Sequence, residues 1–372
     1  MNDASHAELR GWAARHVLAE DACWVADITF SSQAAGDCQA YPALLLGHHF
    51  VRIAYEGAKA IRSRNPNVGW SGLAELLSEQ YAPITERARH VSKLLDDTKK
   101  SDEVVLAELR AVQEHNTKNL TGKAPRFLRW LESDLGLFSM GGSTVGASMP
   151  IAYRLGLDPK DPHTMSGEDL HRVAQEWGAT MSVLMAAALE PPSDKATLGL
   201  ANCGVSYRDR LAAKYLADHY EADFEIELKL LLLMIEGDLH TNRLFLPLTE
   251  SGHEMPAFRA RVVTLYHSLT SLQRIFESHP RCDTPAARSI LALFQDEPTR
   301  RLLSQGGKQV RNRCVHYEMS DPRIIPDQTL PMFGIIESVN PGTTWHAFNQ
   351  DVLEVTDRLA ECLSGWRLSK SR

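Results

Sequence analysis

Apolar and polar positions alternate with a helical period along almost the whole chain. Leu9, Trp12, Ala13, His16 and Val17 mark a first stripe, and a second pattern runs from about Pro42 to Arg62 before Asn65-Pro66-Asn67 stops it. Three more helices are expected within residues 70–137. They are marked by Leu73, Leu76, Leu77 and Tyr81 ahead of Pro83, by Val104, Val105, Leu109 and Val112, and by Phe127, Trp130 and Leu131. Ser166 to Asp169 reads as a capped helix start, followed by a core stripe through Leu170, Val173, Trp177, Met181, Leu184 and Met185.

Beyond residue 204 the pattern is cleaner. Residues 207–246 read as nearly continuous helix, and Leu228–Leu233 is apolar all round, which demands a central buried position. Glu225, Glu227 and Lys229 then need partners. Phe258, Val262, Leu265, Leu269, Leu272 and Phe276 repeat at a/d spacing, and residues 284–295 form a short helix. Asp296 is the expected N-cap of the next helix, which Gly306-Gly307 should loosen or interrupt. Residues 320–343 read as a Pro/Gly-rich loop, with room for a short hairpin in 324–345. Phe348, Val352, Val355, Leu359, Leu363 and Trp366 mark the last helix at heptad spacing.

The pattern contains no clear strand and no internal repeat. It predicts an all-α protein of two helical domains, residues 1–195 and 205–372, divided at the Pro/Gly-rich stretch 191–204. The second is expected to be an up-and-down bundle of four or five helices. Gly141 to Ser148 reads as a connection between helices. Its backbone N–H groups suit an anion, but without a Gly-Lys-Ser/Thr ending or a preceding strand it is no phosphate-binding P-loop.

Composition narrows the function classes. A net charge of −7 argues against a general nucleic-acid coat and leaves only local basic patches. The six cysteines are scattered with no C-x-x-C pair, so zinc ribbons and dithiol redox motifs are unsupported. The first twenty residues lack a signal-peptide pattern and the longest apolar run, Leu230–Ile235, is far too short for a bilayer. A cytoplasmic protein with reduced thiols and no membrane association is expected.

Two polar groupings carry candidate chemistry. His49, Arg52 and Glu56 recur at three- and four-residue steps on one helix face, beside His48 and Tyr55. They fit a polar pocket, one wall of a metal site, or an ion-paired face; no matching Glu-x-x-His completes a di-iron bundle. The second grouping is Val310-Arg311-Asn312-Arg313-Cys314-Val315-His316-Tyr317. Asn312 and His316 are four apart and share a helix face, whereas Arg311 and His316 are separated by about 140° around the axis. Pro322 places His316 in or near the last turn, where the helix dipole favours the imidazolium. Arg-x4-His also occurs at Arg110/His115 and Arg274/His279, so the bare spacing is uninformative. The Asn after Arg311 and the Val-His-Tyr ending set the third instance apart. Arg300, Arg301, Lys308, Arg311 and Arg313 form a basic cluster around it, suited either to phosphate or to carboxylates of the bundle.

Arg311-Asn312 with His316, inside a C-terminal helical bundle, resembles the HEPN superfamily, over roughly residues 207–368. The resemblance implies a compact bundle, often completed by a dimer partner. It also implies metal-independent RNA cleavage of the kind used by toxins and antiviral effectors, although other members only bind nucleotides or proteins. On that basis Arg311, Asn312 and His316 are the expected catalytic residues, with Arg301, Lys308, Arg313 and Tyr317 contacting RNA. No metal or cofactor is required, and a homodimer with an antitoxin or regulatory partner is expected. Two other classes stay open: a non-catalytic ligand- or partner-binding bundle, and a helical metal or haem enzyme using His48, His49 or the Glu236/His240 pair.

Overall fold

The computed structural model describes residues 3–64, 82–97, 99–123, 125, 127, 132–156, 167–186, 198–317, 319 and 321–367. The chain is predominantly helical, as the periodicity predicts. The helix marked by Leu73 to Tyr81, most of that marked by Phe127 to Leu131, the cap at Ser166 and residues 191–197 lie outside the described residues.

The first half contains α1 (Asp3–Gln33), α2 (Tyr41–Arg64), α3 (Ala82–Val91), a 3-10 turn at Leu94–Asp96, and α4 (Asp102–Leu120). After them come β1 (Leu135–Met140), β2 (Ser143–Ala147), α5 (Ser148–Arg154) and α6 (Gly167–Ala186). The second half begins with β3 (Val205–Arg210), α7 (Ala212–Leu216), α8 (Ile226–His240), α9 (Glu254–Ser278) and α10 (Pro285–Leu293). It ends with α11 (Glu297–Leu303), α12 (Gln305–Val315), α13 (Ile335–Val339) and α14 (Trp345–Ser364).

The expectation of no strands is corrected by a three-stranded antiparallel sheet in the order β2-β1-β3. Gly141 and Gly142 are its hairpin turn, with φ of 57° and 85°. Two consecutive positive φ values are what a two-residue hairpin loop requires, and glycine supplies them without steric cost. Gly141 to Ala147 is therefore a turn and a strand, and Ser148 begins α5, so the segment is not a helix connection. Residues 207–210, expected to start a long helix, belong instead to β3, which crosses the expected boundary region to pair with β1. The segment 324–345 holds α13 and, among the described residues, no strand.

α8 lies at the centre with its apolar run buried on all sides. Its polar residues find partners as burial demands. Lys229 Nζ donates to the Leu216 carbonyl at 3.1 Å, Glu227 pairs with Arg110, and Tyr220 Oη donates to Glu236 at 2.9 Å. One continuous apolar core joins residues from both halves, from Ala13 to Trp366. Trp24 of α1 typifies the junction: fully buried, it donates Nε1 to the Thr249 carbonyl at 3.1 Å. Cys38 and Cys203 form a disulfide, against the expectation of reduced thiols throughout, while Cys23, Cys282, Cys314 and Cys362 are free. Among the described residues no helix is long and apolar enough to cross a membrane.

Candidate functional site

The motif lies on α12, which starts later than the sequence suggests. Asp296 caps only α11, without a side-chain hydrogen bond, and a new helix begins when Ser304 Oγ accepts the Gly307 N–H at 3.1 Å. A Cβ on Gly307 would lie 2.0 Å from the Leu302 carbonyl oxygen. The glycine thus permits the tight joint between α11 and α12, and the break falls at Ser304 just ahead of the glycine pair. α12 ends at Val315. His316 is its C-cap in extended conformation (φ −107°, ψ 127°), and its N–H donates to the Asn312 carbonyl at 2.8 Å. Because His316 has left the helix, the expected shared face with Asn312 becomes a backbone contact.

Leaving the helix turns His316 toward α2. Its Nδ1 lies 2.8 Å from Glu56 Oε2, and the imidazole is 45% exposed while Glu56 is buried. Arg89 of α3, also buried, donates Nε to the other Glu56 oxygen at 2.9 Å. Burial opposes the Glu56 charge, but the His316 hydrogen bond and the Arg89 charge outweigh it and bring the carboxyl to about 2. Glu56 is therefore an anion at neutral pH, so Nδ1 carries the proton it shares. Nε2 is the ring nitrogen that Glu56 does not engage.

Arg311 projects elsewhere. Its guanidinium pairs with Asp96 at 2.7 Å and sits 4.5 Å from the Tyr266 ring centre, an ion pair capped by a cation–π contact. Asp96 also accepts from His267 Nδ1 at 3.0 Å. Burial, and then the Arg311 charge, bring His267 down to about 4, so its neutral ring donates to a carboxylate. Asp96 itself is held below the usual carboxylate range: burial opposes its charge, and His267 and Arg311 override burial. Arg311 and His316 thus reach different carboxylates, both supplied by the N-terminal half.

A third set of contacts fastens the end of α12. Tyr317 Oη donates to Asp21 of α1, and Arg52 Nη1 donates to the Cys314 carbonyl at 2.7 Å. Arg259 of α9, wholly buried, donates Nε to Asp21 at 2.8 Å and Nη2 to Glu20 at 3.1 Å. Tyr317, expected to touch substrate, is 2% exposed and belongs to this interior network. Arg301 pairs with Asp351 of α14 at 2.8 Å, Arg313 with Asp321 at 3.8 Å, and Arg300 with Glu297 at 3.2 Å. Among the described residues, Lys308 is the one member of the basic cluster with no carboxylate partner and is exposed.

His49 faces inward. With His48, His267, Arg52 and Asp238 it lines a cavity of about 10 Å³, near the minimum for one water. His48 Nε2, His49 Nδ1 and His267 Nε2 have no hydrogen-bond partner there. Burial lowers His48 and His49, aided by Arg154 beside the first and by His48 beside the second. Among the described residues no group of three or more His, Cys, Asp and Glu is arranged to hold a metal ion. Of the Glu236/His240 pair, the carboxylate accepts from Tyr220 and the imidazole meets Ser364 Oγ at 2.6 Å.

Periodicity missed Glu20, Asp21, Arg89, Asp96, Arg259, Tyr266 and His267 of this site. The one local signal was on α9, where Arg259 and His267 are two four-residue steps apart in a helix otherwise read for its apolar stripe. No protein-family model, curated protein or solved structure matches the chain.

Proposed function

We propose that the chain is a metal-independent RNA endonuclease in which His316 transfers protons and Arg311 neutralises the reacting phosphate. The observation that carries this reading is the His316–Glu56 pair at 2.8 Å, with a half-exposed ring on a buried, ionised carboxylate. Glu56 acts as a positioning residue. It fixes the tautomer and leaves Nε2 to take the proton of a ribose 2′-OH. The 2′-oxygen then attacks the adjacent phosphorus, the P–O5′ bond breaks, and the imidazolium returns its proton to O5′. The products are a 2′,3′-cyclic phosphate and a 5′-hydroxyl, so DNA is not a substrate. Arg311 is suited by its planar fork to the charge growing on the phosphate oxygens, which must compete with Asp96 for it. A single imidazole serves as base and acid, or a second copy of the chain supplies the other; we place the protein as a homodimer open to a regulatory partner.

A non-catalytic binding role is the second reading. What favours it is the Arg311–Asp96 pair beneath Tyr266, together with carboxylate partners for Arg300, Arg301 and Arg313. The test is total RNA incubated in EDTA with wild type and with Arg311→Ala/His316→Ala. The expected result is cleavage to 2′,3′-cyclic phosphate ends by wild type, reduced about 10²–10⁴-fold in the double variant. Equal behaviour of the two proteins overturns the nuclease reading in favour of the binding role.

A further inference from the structure

An apolar cavity of about 590 Å³ lies away from the polar site, between α1, α2 and α6, and opens to solvent. That is the size of pockets that take small organic ligands. Among the described residues that line it, none is charged. Its polar atoms are mostly occupied within the protein. Thr29 Oγ1 donates to the Val25 carbonyl at 2.8 Å, Ser182 Oγ to the Gly178 carbonyl at 3.1 Å, and Trp177 Nε1 to Thr85 Oγ1 at 3.0 Å. An occupant gains contact with hydrocarbon and sulfur there and, among the described residues, meets no ion that would fix a charged head.

Two glycines line the space. Gly47 of α2 and Gly178 of α6 lie within helices and line the cavity, and a Cβ at either would meet nothing within 4 Å. Glycine inside a helix weakens it, and normally close packing explains its presence. Gly57 on the same α2 is such a case, because its Cβ would lie 2.6 Å from Leu184 Cδ1. At buried Gly47 nothing approaches, so the missing side chain serves the volume itself, whereas Gly178 is exposed where the cavity opens to solvent. Met181 and Met185, on the α6 wall, are flexible and polarisable, suited to adapting around an apolar guest.

We infer that the cavity between α1, α2 and α6 binds an uncharged, predominantly hydrocarbon small molecule. This site is independent of the proposed nuclease chemistry and stands whether or not RNA is cut. The test uses the full chain and the neutral fluorophore N-phenyl-1-naphthylamine, whose emission rises in apolar surroundings. Wild type should give saturable enhancement. Gly47→Leu and Gly178→Phe, which fill the cavity from different helices, should each weaken binding at least about tenfold, and Gly178→Ala should retain it. Circular dichroism identifies any variant that fails to fold, in which case the other carries the comparison. No saturable enhancement in wild type overturns the inference, as does undiminished enhancement in a folded, filled variant. A wild-type dimer that the filling substitutions turn into monomer, without probe binding, assigns the surface to a second copy and also overturns it.

Discussion

Glu56 of α2 and His316 at the end of α12 are 260 residues apart in the chain and 2.8 Å apart in space. Neither is placed by its own helix alone. Glu56 is held by Arg89 from α3, and His316 is aimed by the end of α12, where its N–H satisfies the Asn312 carbonyl. The pair thus exists only when both halves of the chain are docked, which couples the chemistry of the site to folding.

That coupling predicts an acid-sensitive stability. Glu56 falls from an ordinary 4.5 to about 2 on folding, so its contribution is complete above the unfolded value and is lost as pH drops from about 4.5 toward 2. The size of the shift corresponds to roughly 3 kcal/mol. Asp96, also lowered, adds loss in the same direction. Urea unfolding at successive pH values should show this fall in wild type and a flatter profile in Glu56→Gln. An unchanged slope in the variant counts against Glu56 as the titrating group.

Asp96 bears on function more directly. It occupies the Arg311 guanidinium that the proposed reaction needs. Asp96→Asn removes the competing charge while keeping the shape, so binding of single-stranded RNA should tighten severalfold and its salt slope should steepen by about one unit. Arg311→Ala in the Asp96→Asn background should erase the gain. Fluorescence anisotropy across a potassium chloride series measures both, and a variant indistinguishable from wild type removes Arg311 from the phosphate-binding role.

Much of the helical framework was legible because each stripe is a local pattern: α1, α2, α4, α9, α10 and α14 follow apolar residues at three- and four-residue steps. β1 to β3 were not, although Gly141-Gly142 is a hairpin signal, because neighbouring helices dominated the periodicity. The site was half legible. His49, Arg52 and Glu56 form one ridge and Arg311 to His316 another, and each could be seen alone. Their meeting could not, since it depends on α12 ending one residue before His316. Asp21 and Asp96 belong to acid pairs, Glu20-Asp21 and Asp96-Asp97, that repeat on no helical spacing, and their roles come from partners 238 and 215 residues away.

Tyr317 separates a structural role from a catalytic one. Its hydroxyl is buried on Asp21, which keeps Arg52 and Arg259 if the hydroxyl is removed. Tyr317→Phe should therefore cost only about 1–2 kcal/mol in urea unfolding and leave any RNA cleavage rate intact. Arg259→Met strands Asp21 and Glu20 with less compensation and should cost about 3–5 kcal/mol. A Tyr317→Phe protein of full stability but lost activity would reverse the assignment.

The joint between α11 and α12 offers the sharpest steric test. At Gly307 an added Cβ meets the backbone oxygen of Leu302 at 2.0 Å and that of Arg301 at 2.6 Å, and neither can swing aside without unwinding α11. At Gly306 the nearest atom is the Asn340 side-chain oxygen at 2.6 Å, the far end of a movable group. Gly307→Ala should thus destabilise by about 2 kcal/mol or more, whereas Gly306→Ala should stay within about 1 kcal/mol, helped by alanine's helix propensity. Since α12 aims both Arg311 and His316, Gly307→Ala should also release Glu56 from His316 and reduce the acid-sensitive part of stability. Thermal and urea unfolding of the two variants at pH 7 and pH 4 measure the contrast. Equal losses at both positions would mean that the α11–α12 joint yields more easily than its backbone contacts imply, and that the aim of the motif is set elsewhere.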